Sequence, residues 1–312
     1  MQSGGWSLVF RMVLALAGVG LSLLPAPALA WYPRLEAEAL VDAARPAPVV
    51  GSNRSYVLGA DETLIELAYR AGLGYEGLAA ANPGVDPWLP EAGRPVLLPY
   101  QAILPATAGL GITINLAEYR LYLVWESSGR RYVRIYPIGI GAEGTATREG
   151  LFRVETVVRD PSWTVPASIR AERPNLPGTV PPGPDNPLGK YWIGLSLEGV
   201  GIHGTNKPFG LGRRVSHGCI RLYPEDIEDL AGRVGKGTPV RIIYQPIKLG
   251  LRGGQLLAEV HPDFLGRIGN GLEEVKRLRK DLGWSGLLDG QALQQALQQA
   301  RGIPLPISYG PE

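Results

Sequence analysis

The chain's single cysteine, Cys219, lies in the run Ser216-His217-Gly218-Cys219-Ile220-Arg221, preceded by His203-Gly204-Thr205-Asn206. One cysteine cannot form an intramolecular disulfide. The thiol is therefore an inert buried group, an intermolecular link, a ligand or a nucleophile. Two of the chain's three histidines are His203 and His217, and that crowding favours the nucleophile. A thiol attacks a carbonyl as thiolate, so its pKa must fall or a base must take its proton. In an extended segment residues i and i+2 point the same way, which would set His217 beside Cys219. His203 follows an expected strand over 193–202 and can approach across a sheet. The residues leave open which histidine is the base. Backbone N–H groups at Gly218 and Cys219 are candidate oxyanion donors.

Other chemistries fit less well. His203, His217 and Cys219 could ligate zinc with His261 or water as fourth group, but ordinary paired-ligand spacing is absent. His261 precedes Pro262 and reads as a structural or solvent-exposed residue in a surface turn. Gly139-Ile140-Gly141 with Gly144 superficially suggests a phosphate loop, yet no lysine or long helix follows. Acyl transfer by a thiol, the chemistry favoured above, needs no metal or organic cofactor. Net charge is +2 with no basic block, so nothing asks for nucleic acid.

The elements that must hold this constellation are mostly strands. Over 110–245 the pattern predicts strands at 112–116, 121–125, 131–138, 151–154, 156–158, 191–197 and 239–244. A hairpin turn is expected over 126–130, a proline- and glycine-rich loop over 173–190 and a short helix over 224–230. Residues 246–312 predict a strand at 255–261 and helices at 272–281 and 289–300, with Leu293, Leu297 and Ala300 on one stripe. This extension is expected to pack on the preceding domain; the alternative is a small separate domain. Residues 55–99 read as strand–helix–helix–strand, a small α+β unit. There Asp61 is expected to cap a helix over 62–70, and Asn82-Pro83-Gly84 to stop a second over 75–81. Residues 31–54 read as a linker. Residues 1–30 read as a cleavable secretory signal, with Arg11, an apolar run over 12–24 and Ala28-Leu29-Ala30 at its end. That predicts export to the periplasm or cell wall, where exported proteins usually pair their cysteines or lack them. A lone retained thiol there needs a reason.

His203-Gly204-Thr205 followed by Ser216-His217-Gly218-Cys219-Ile220-Arg221 resembles the signature of YkuD-type L,D-transpeptidases, exported cysteine enzymes of peptidoglycan metabolism. The resemblance spans roughly 111–244. It implies a mostly β catalytic domain, a β-sandwich or open barrel with short helices. It implies Cys219 as nucleophile and His217 as general base, with His203 lining the site and assisting binding or protonation. Ser216 and Gly218 complete the motif. Arg221 would position a carboxylate-bearing substrate or support the oxyanion side. Tyr191, Trp192, Thr205 and Lys207, near the motif in sequence, are expected at the substrate. The implied reaction is attack on a stem tetrapeptide, loss of D-alanine, a thioester, and transfer to an amine that joins the third residues of two stems. Water as acceptor would give an L,D-carboxypeptidase; a dead site would leave a wall-binding protein.

Residues 55–99 resemble a LysM domain in Tyr56-Val57-Leu58, Asp61-Glu62-Thr63-Leu64, the loop Ala81-Asn82-Pro83-Gly84-Val85-Asp86-Pro87, and Val96-Leu97-Leu98-Pro99. This implies binding to peptidoglycan glycan strands, with Gly59, Asp61 and Thr63 on one side of a groove and Asn82, Pro83 and Gly84 on the other. Trp88 is either a sugar contact or packed beneath the unit. The expected partners are stem peptides and glycan strands, bound by a monomer.

Overall fold

The computed structural model describes residues 35–36 and 48–310. The expected signal and most of the expected linker lie outside these residues. No helix among the described residues is long and apolar enough to cross a membrane.

The central feature is a curled nine-stranded sheet. Its order is Leu35–Glu36, Arg130–Pro137, Arg120–Ser127, Gly111–Asn115, Pro239–Ile243, Gly150–Arg159, Tyr191–Leu195, Gly201–His203 and Ile220–Arg221. The expected hairpin forms at Ser128 and Gly129. Both have positive φ, 53° and 69°, the turn that matches the twist of its strands. The two strands expected over 151–158 are one, Gly150–Arg159. A register shift between Val154 and Thr156 bends it. Its first half pairs with Pro239–Ile243 and its second with Tyr191–Leu195; the bulge therefore curls the sheet. Inside lie Ile112, Ile114, Leu121, Ile193, Ile202 and Ile220, covered by Ile227 and Leu230 of helix Pro224–Ala231.

The N-terminal unit pairs Arg54–Val57 with Pro95–Leu98 around helices Leu64–Arg70 and Tyr75–Ala81. Thr63, not Asp61, caps the first helix. Thr63 and Glu66 form a reciprocal capping box, which fixes the start two residues later than expected. The core of this unit is continuous with Tyr122, Val124, Val133 and Ile135 of the main hairpin, so the two pack as one body.

The C-terminal segment forms a sheet of Ile247–Arg252, Gln255–Val260 and Pro304–Pro306 under helices Gly271–Asp281 and Gly290–Gln299. Val275, Leu278, Leu293 and Ala296 give it its own apolar cluster.

A buried ionic network joins these parts. Lys248 Nζ donates to Glu118 Oε2 at 2.7 Å, to Ile103 O at 2.6 Å and to Tyr122 Oη at 3.1 Å. It also lies 3.1 Å from Glu259 Oε2. Arg120 Nη1 reaches Glu259 Oε1 at 2.5 Å and Glu118 Oε2 at 3.2 Å. His261 belongs here too. It is buried, with Nε2 2.9 Å from Glu259 Oε1, and not in the expected surface turn. Burial pushes the Glu259 carboxyl up, but Lys248, Arg120 and His261 outweigh it and hold it well below the usual carboxylate range. Glu118, Glu259 and His261 converge closely enough for a metal ion, within 4.8 Å. However, Lys248 and Arg120 already supply the compensating charge.

Removing one partner of such a network strands the others. Lys248→Met is expected to cost about 3–5 kcal/mol, measured by chemical denaturation of the full chain. A loss below about 1 kcal/mol would show that the network does not bind the parts together.

Candidate active site

Strand register builds the site. Val158 pairs with Trp192, Trp192 with His203, and His203 with Arg221. Paired residues face the same side of a sheet, so these four side chains form one row across four strands. Cys219 enters beside it, immediately before Ile220–Arg221, with Sγ 3.7 Å from Gly199 O. Together with Ser216 and His217 these residues line a cavity of about 450 Å³.

The opposite wall is apolar and includes Pro161, Trp163, Pro166, Ile169 and Leu188. It comes mostly from residues 161–169, for which the sequence pattern predicts no element, and in part from the loop expected over 173–190. The structure gives it helix Ala167–Glu172 and a two-stranded ribbon, Trp163–Thr164 with Thr179–Val180. Buried Asn186 pins the segment. Its Nδ2 donates to Pro161 O at 2.8 Å and Pro181 O at 3.1 Å, and its Oδ1 accepts from Leu188 N at 2.9 Å. The only sequence cue was an aromatic, Trp163, set between Pro161 and Pro166.

The motif itself is a turn. Gly218 has φ +102°, a conformation that favours glycine. Ser216 Oγ accepts from Gly218 N at 3.2 Å and donates to Cys219 O at 2.5 Å. Ser216 thus staples the turn. This removes the extended geometry on which the expected His217–Cys219 pair rested. His217 is 40% exposed, and its Nε2 faces Glu172 Oε2 at 3.2 Å. His203 is buried, stacked on Trp192 with ring centroids 5.8 Å apart. Its Nδ1–H donates to Gly204 O at 2.7 Å, which leaves the lone pair of the neutral ring on Nε2.

The electrostatics set the resting state. Burial, then Arg221, lowers the His203 pKa to about 4 against the carbonyls of Gly204 and Pro187. Burial pushes the Cys219 thiol up; the Gly201 N–H and Arg221 pull it down without prevailing. At neutral pH the pair is imidazole and thiol, not an ion pair.

The remaining expected residues divide. Trp192 lines the cavity. Tyr191 faces the other side of its strand and packs on the core. Thr205 is buried, and its hydroxyl accepts from Lys207 N at 3.0 Å. Neither Thr205 nor exposed Lys207 is a cavity wall. In the N-terminal unit, Thr63 is spent on its cap. Gly59 N–H donates to Glu62 Oε2 at 2.9 Å. Asn82 is a clamp: Nδ2 donates to Leu78 O and Leu97 O, and Oδ1 accepts from Leu97 N. Asp61, Pro83 and Gly84 remain exposed. Trp88 is 59% exposed, not packed beneath the unit.

A half-buried thiol and a buried neutral imidazole in one cleft define a cysteine acyl-transfer enzyme. The YkuD family, described as an L,D-transpeptidase catalytic domain, matches residues 110–242. "Probable L,D-transpeptidase YcfS" of Escherichia coli K12 is 37% identical over 276 residues, covering 83% of this chain and 85% of the relative. "Probable L,D-transpeptidase ErfK/SrfK" of Salmonella typhimurium LT2 is 38% identical over 263 residues, 80% of this chain and 84% of the relative. "Probable L,D-transpeptidase YbiS" of E. coli K12 is 41% identical over 221 residues, 68% and 71%. The chain belongs to the YkuD-type L,D-transpeptidase family.

The resting state has a direct readout. Alkylation of Cys219 by iodoacetamide is expected to rise with pH about a midpoint above that of free cysteine. Arg221→Gln should move that midpoint higher still, because it removes a group that lowers the thiol pKa. A rate already at plateau near pH 6 would mean that a thiolate–imidazolium pair exists at rest.

Proposed function

We propose that this peptidoglycan L,D-transpeptidase uses Cys219 as nucleophile and His203, rather than His217, as the base that takes its proton. The observation that carries the assignment is the row across the sheet. Register sets His203 and Arg221 on one face, and the cavity brings the thiol to them.

The donor is a stem tetrapeptide. Sγ attacks the carbonyl before the terminal D-alanine as its proton passes to His203 Nε2. The same proton then goes to the departing amine, and D-alanine leaves a thioester. Carbonyls of Gly204 and Pro187 favour the protonated ring, so they steady the imidazolium that exists only during transfer. Gly218 N–H is given to Ser216, which leaves Cys219 N–H as the motif's oxyanion donor. Arg221 Nε is buried with no hydrogen-bond partner among the described residues. A carboxylate of the donor stem would satisfy it. The apolar wall offers an attacking water few hydrogen-bond partners, which favours an amine acceptor over hydrolysis.

The N-terminal unit is read as a LysM-type glycan-binding module. Its support is the strand–helix–helix–strand order and the exposed loops bearing Asp61, Pro83, Gly84 and Trp88. It would hold glycan strands while the cleft takes their stems, in a protein exported to the periplasm or cell wall.

Defined tetrapeptides with the mature chain should release D-alanine and add the tripeptide acyl mass at Cys219. Cys219→Ala should abolish both. His203→Gln should lower kcat/KM by roughly 10²–10⁴. The acid limb of kcat/KM should fall near pH 4, following the lowered His203. A limb near the ordinary histidine value would reject His203 as the base.

Sedimentation with purified sacculi tests the module separately. Trp88→Ala should weaken pelleting while D-alanine release from free tetrapeptides continues. Unchanged pelleting would remove Trp88 from the glycan surface.

A further inference from the structure

We propose that His217 and Glu172 form a second acid–base pair, which removes the proton from the acceptor amine. The inference rests on the acyl-enzyme reading above and assigns the other half of that reaction.

Acyl transfer to an amine sets two separate proton problems. The thiol must lose a proton in the first half-reaction. The acceptor must lose one in the second, because a side-chain amine with a pKa of about 10.4 arrives as ammonium and has no lone pair. His203 serves the first from the cavity floor. It is buried beneath Trp192 and held by backbone carbonyls. An amine approaching from solvent does not meet it first.

His217 has the opposite setting. It lines the same cavity but is 40% exposed, and Glu172, 58% exposed, lies 3.2 Å from its Nε2. The Gly218 turn, at φ +102°, separates it from the strand face that holds His203 and Arg221. Glu172 is the last residue of helix Ala167–Glu172, so the pair spans the cleft between the motif turn and the opposite wall. With Nε2–H donated to the carboxylate, the neutral ring carries its lone pair on Nδ1. The carboxylate then balances the imidazolium formed by proton uptake, the same division of labour found wherever a carboxylate orients a histidine base.

Charge sorts the two substrates. Among the described residues no Asp or Glu side chain walls the cavity, and Arg221 is one of its walls. Burial, and to a lesser degree nearby Arg173, lowers the Arg221 pKa, while the Cys219 side chain opposes them. An anionic donor stem is drawn inward, whereas an ammonium is repelled from the floor and met at the rim by Glu172. The pair is too exposed for its charge attraction alone to hold the wall. Its consequence lies in the transfer step.

The step balances. The ammonium gives one proton to His217 Nδ1. The freed lone pair attacks the thioester carbonyl, the C–N bond forms and the C–S bond breaks. The second amine proton passes through His203 to the departing sulfur and restores the thiol. His217 returns its proton to solvent.

The test uses the full chain with a tetrapeptide donor and two acceptors. One is a lysine side-chain amine, protonated at neutral pH; the other is hydroxylamine, which is not. The readout is the ratio of amide to hydrolysis product from the thioester, followed by mass. Glu172→Gln should lower that ratio about tenfold or more with the lysine amine and leave it near wild type with hydroxylamine. Glu172→Asp should recover part of the loss. An unchanged ratio with the lysine amine overturns the proposal. Equal losses with both acceptors also overturn it, because they show that Glu172 only supports the wall. Failure of the wild type to form any thioester would instead overturn the acyl-enzyme reading itself.

Discussion

The site depends on a very short parallel pairing, Ile202 with Ile220 and His203 with Arg221. Parallel ladders are weaker per residue than antiparallel ones, so two pairs cannot hold their register unaided. The core holds it. Ile202 and Ile220 are fully buried, and a slip of one residue would turn them into the cleft and drive His203 and Arg221 into the apolar interior. Flanking bonds reinforce the register. Leu222 N–H donates to His203 O at 2.8 Å, and Gly139 exchanges two bonds of 2.9 Å with Arg221. The geometry of the cleft is therefore a by-product of burying two isoleucines in the right order.

The protein treats buried charge in two ways. In the network at Lys248 each positive group has a carboxylate within contact distance and each carboxylate has more than one cation. Such a cluster is fixed and binds segments far apart in sequence. In the cleft, burial instead keeps the imidazole and thiol neutral, and Arg221 carries a buried nitrogen with no partner among the described residues. Full pairing suits a structural joint. Incomplete pairing suits a surface that must accept charge only when substrate arrives.

What the sequence reveals follows from how local each signal is. The main hairpin was legible because alternating apolar residues meet a Ser-Gly turn. The helices at Gly271–Asp281 and Gly290–Gln299 were legible because their apolar residues recur at helical spacing. Strand Ile247–Arg252 was not, because a charged Lys248 occupies a buried position that only Glu118 and Glu259 explain. His261 was misplaced for the same reason: its partner sits in a buried network that no local pattern predicts. The motif residues could be named, but not their geometry. A positive φ at Gly218 reverses the relation between His217 and Cys219, and no spacing rule contains it. Asn82 and Thr63 read as loop residues available to a sugar, yet the backbone had already engaged their side chains.

The N-terminal unit also supports the motif segment. The chain from His203 to Cys219 must cross between two parallel strands, and parallel crossovers are long and need support. One side of the crossover is held by the sheet: Gly212 N–H donates to Ile138 O, Ile140 N–H to Arg213 O and Ala142 N–H to Ser216 O. The other side is held by the N-terminal unit. Tyr75 N–H donates to Leu211 O at 3.2 Å, and the Arg213 guanidinium lies 3.8 Å from the Tyr75 ring centre. At Gly212 a Cβ would come within 2.4 Å of Tyr75 N, and φ is +77°, so glycine is required on both counts. The two bodies close on the segment that carries Ser216 and His217. The motif turn is therefore held through packed backbone between the sheet and the N-terminal unit.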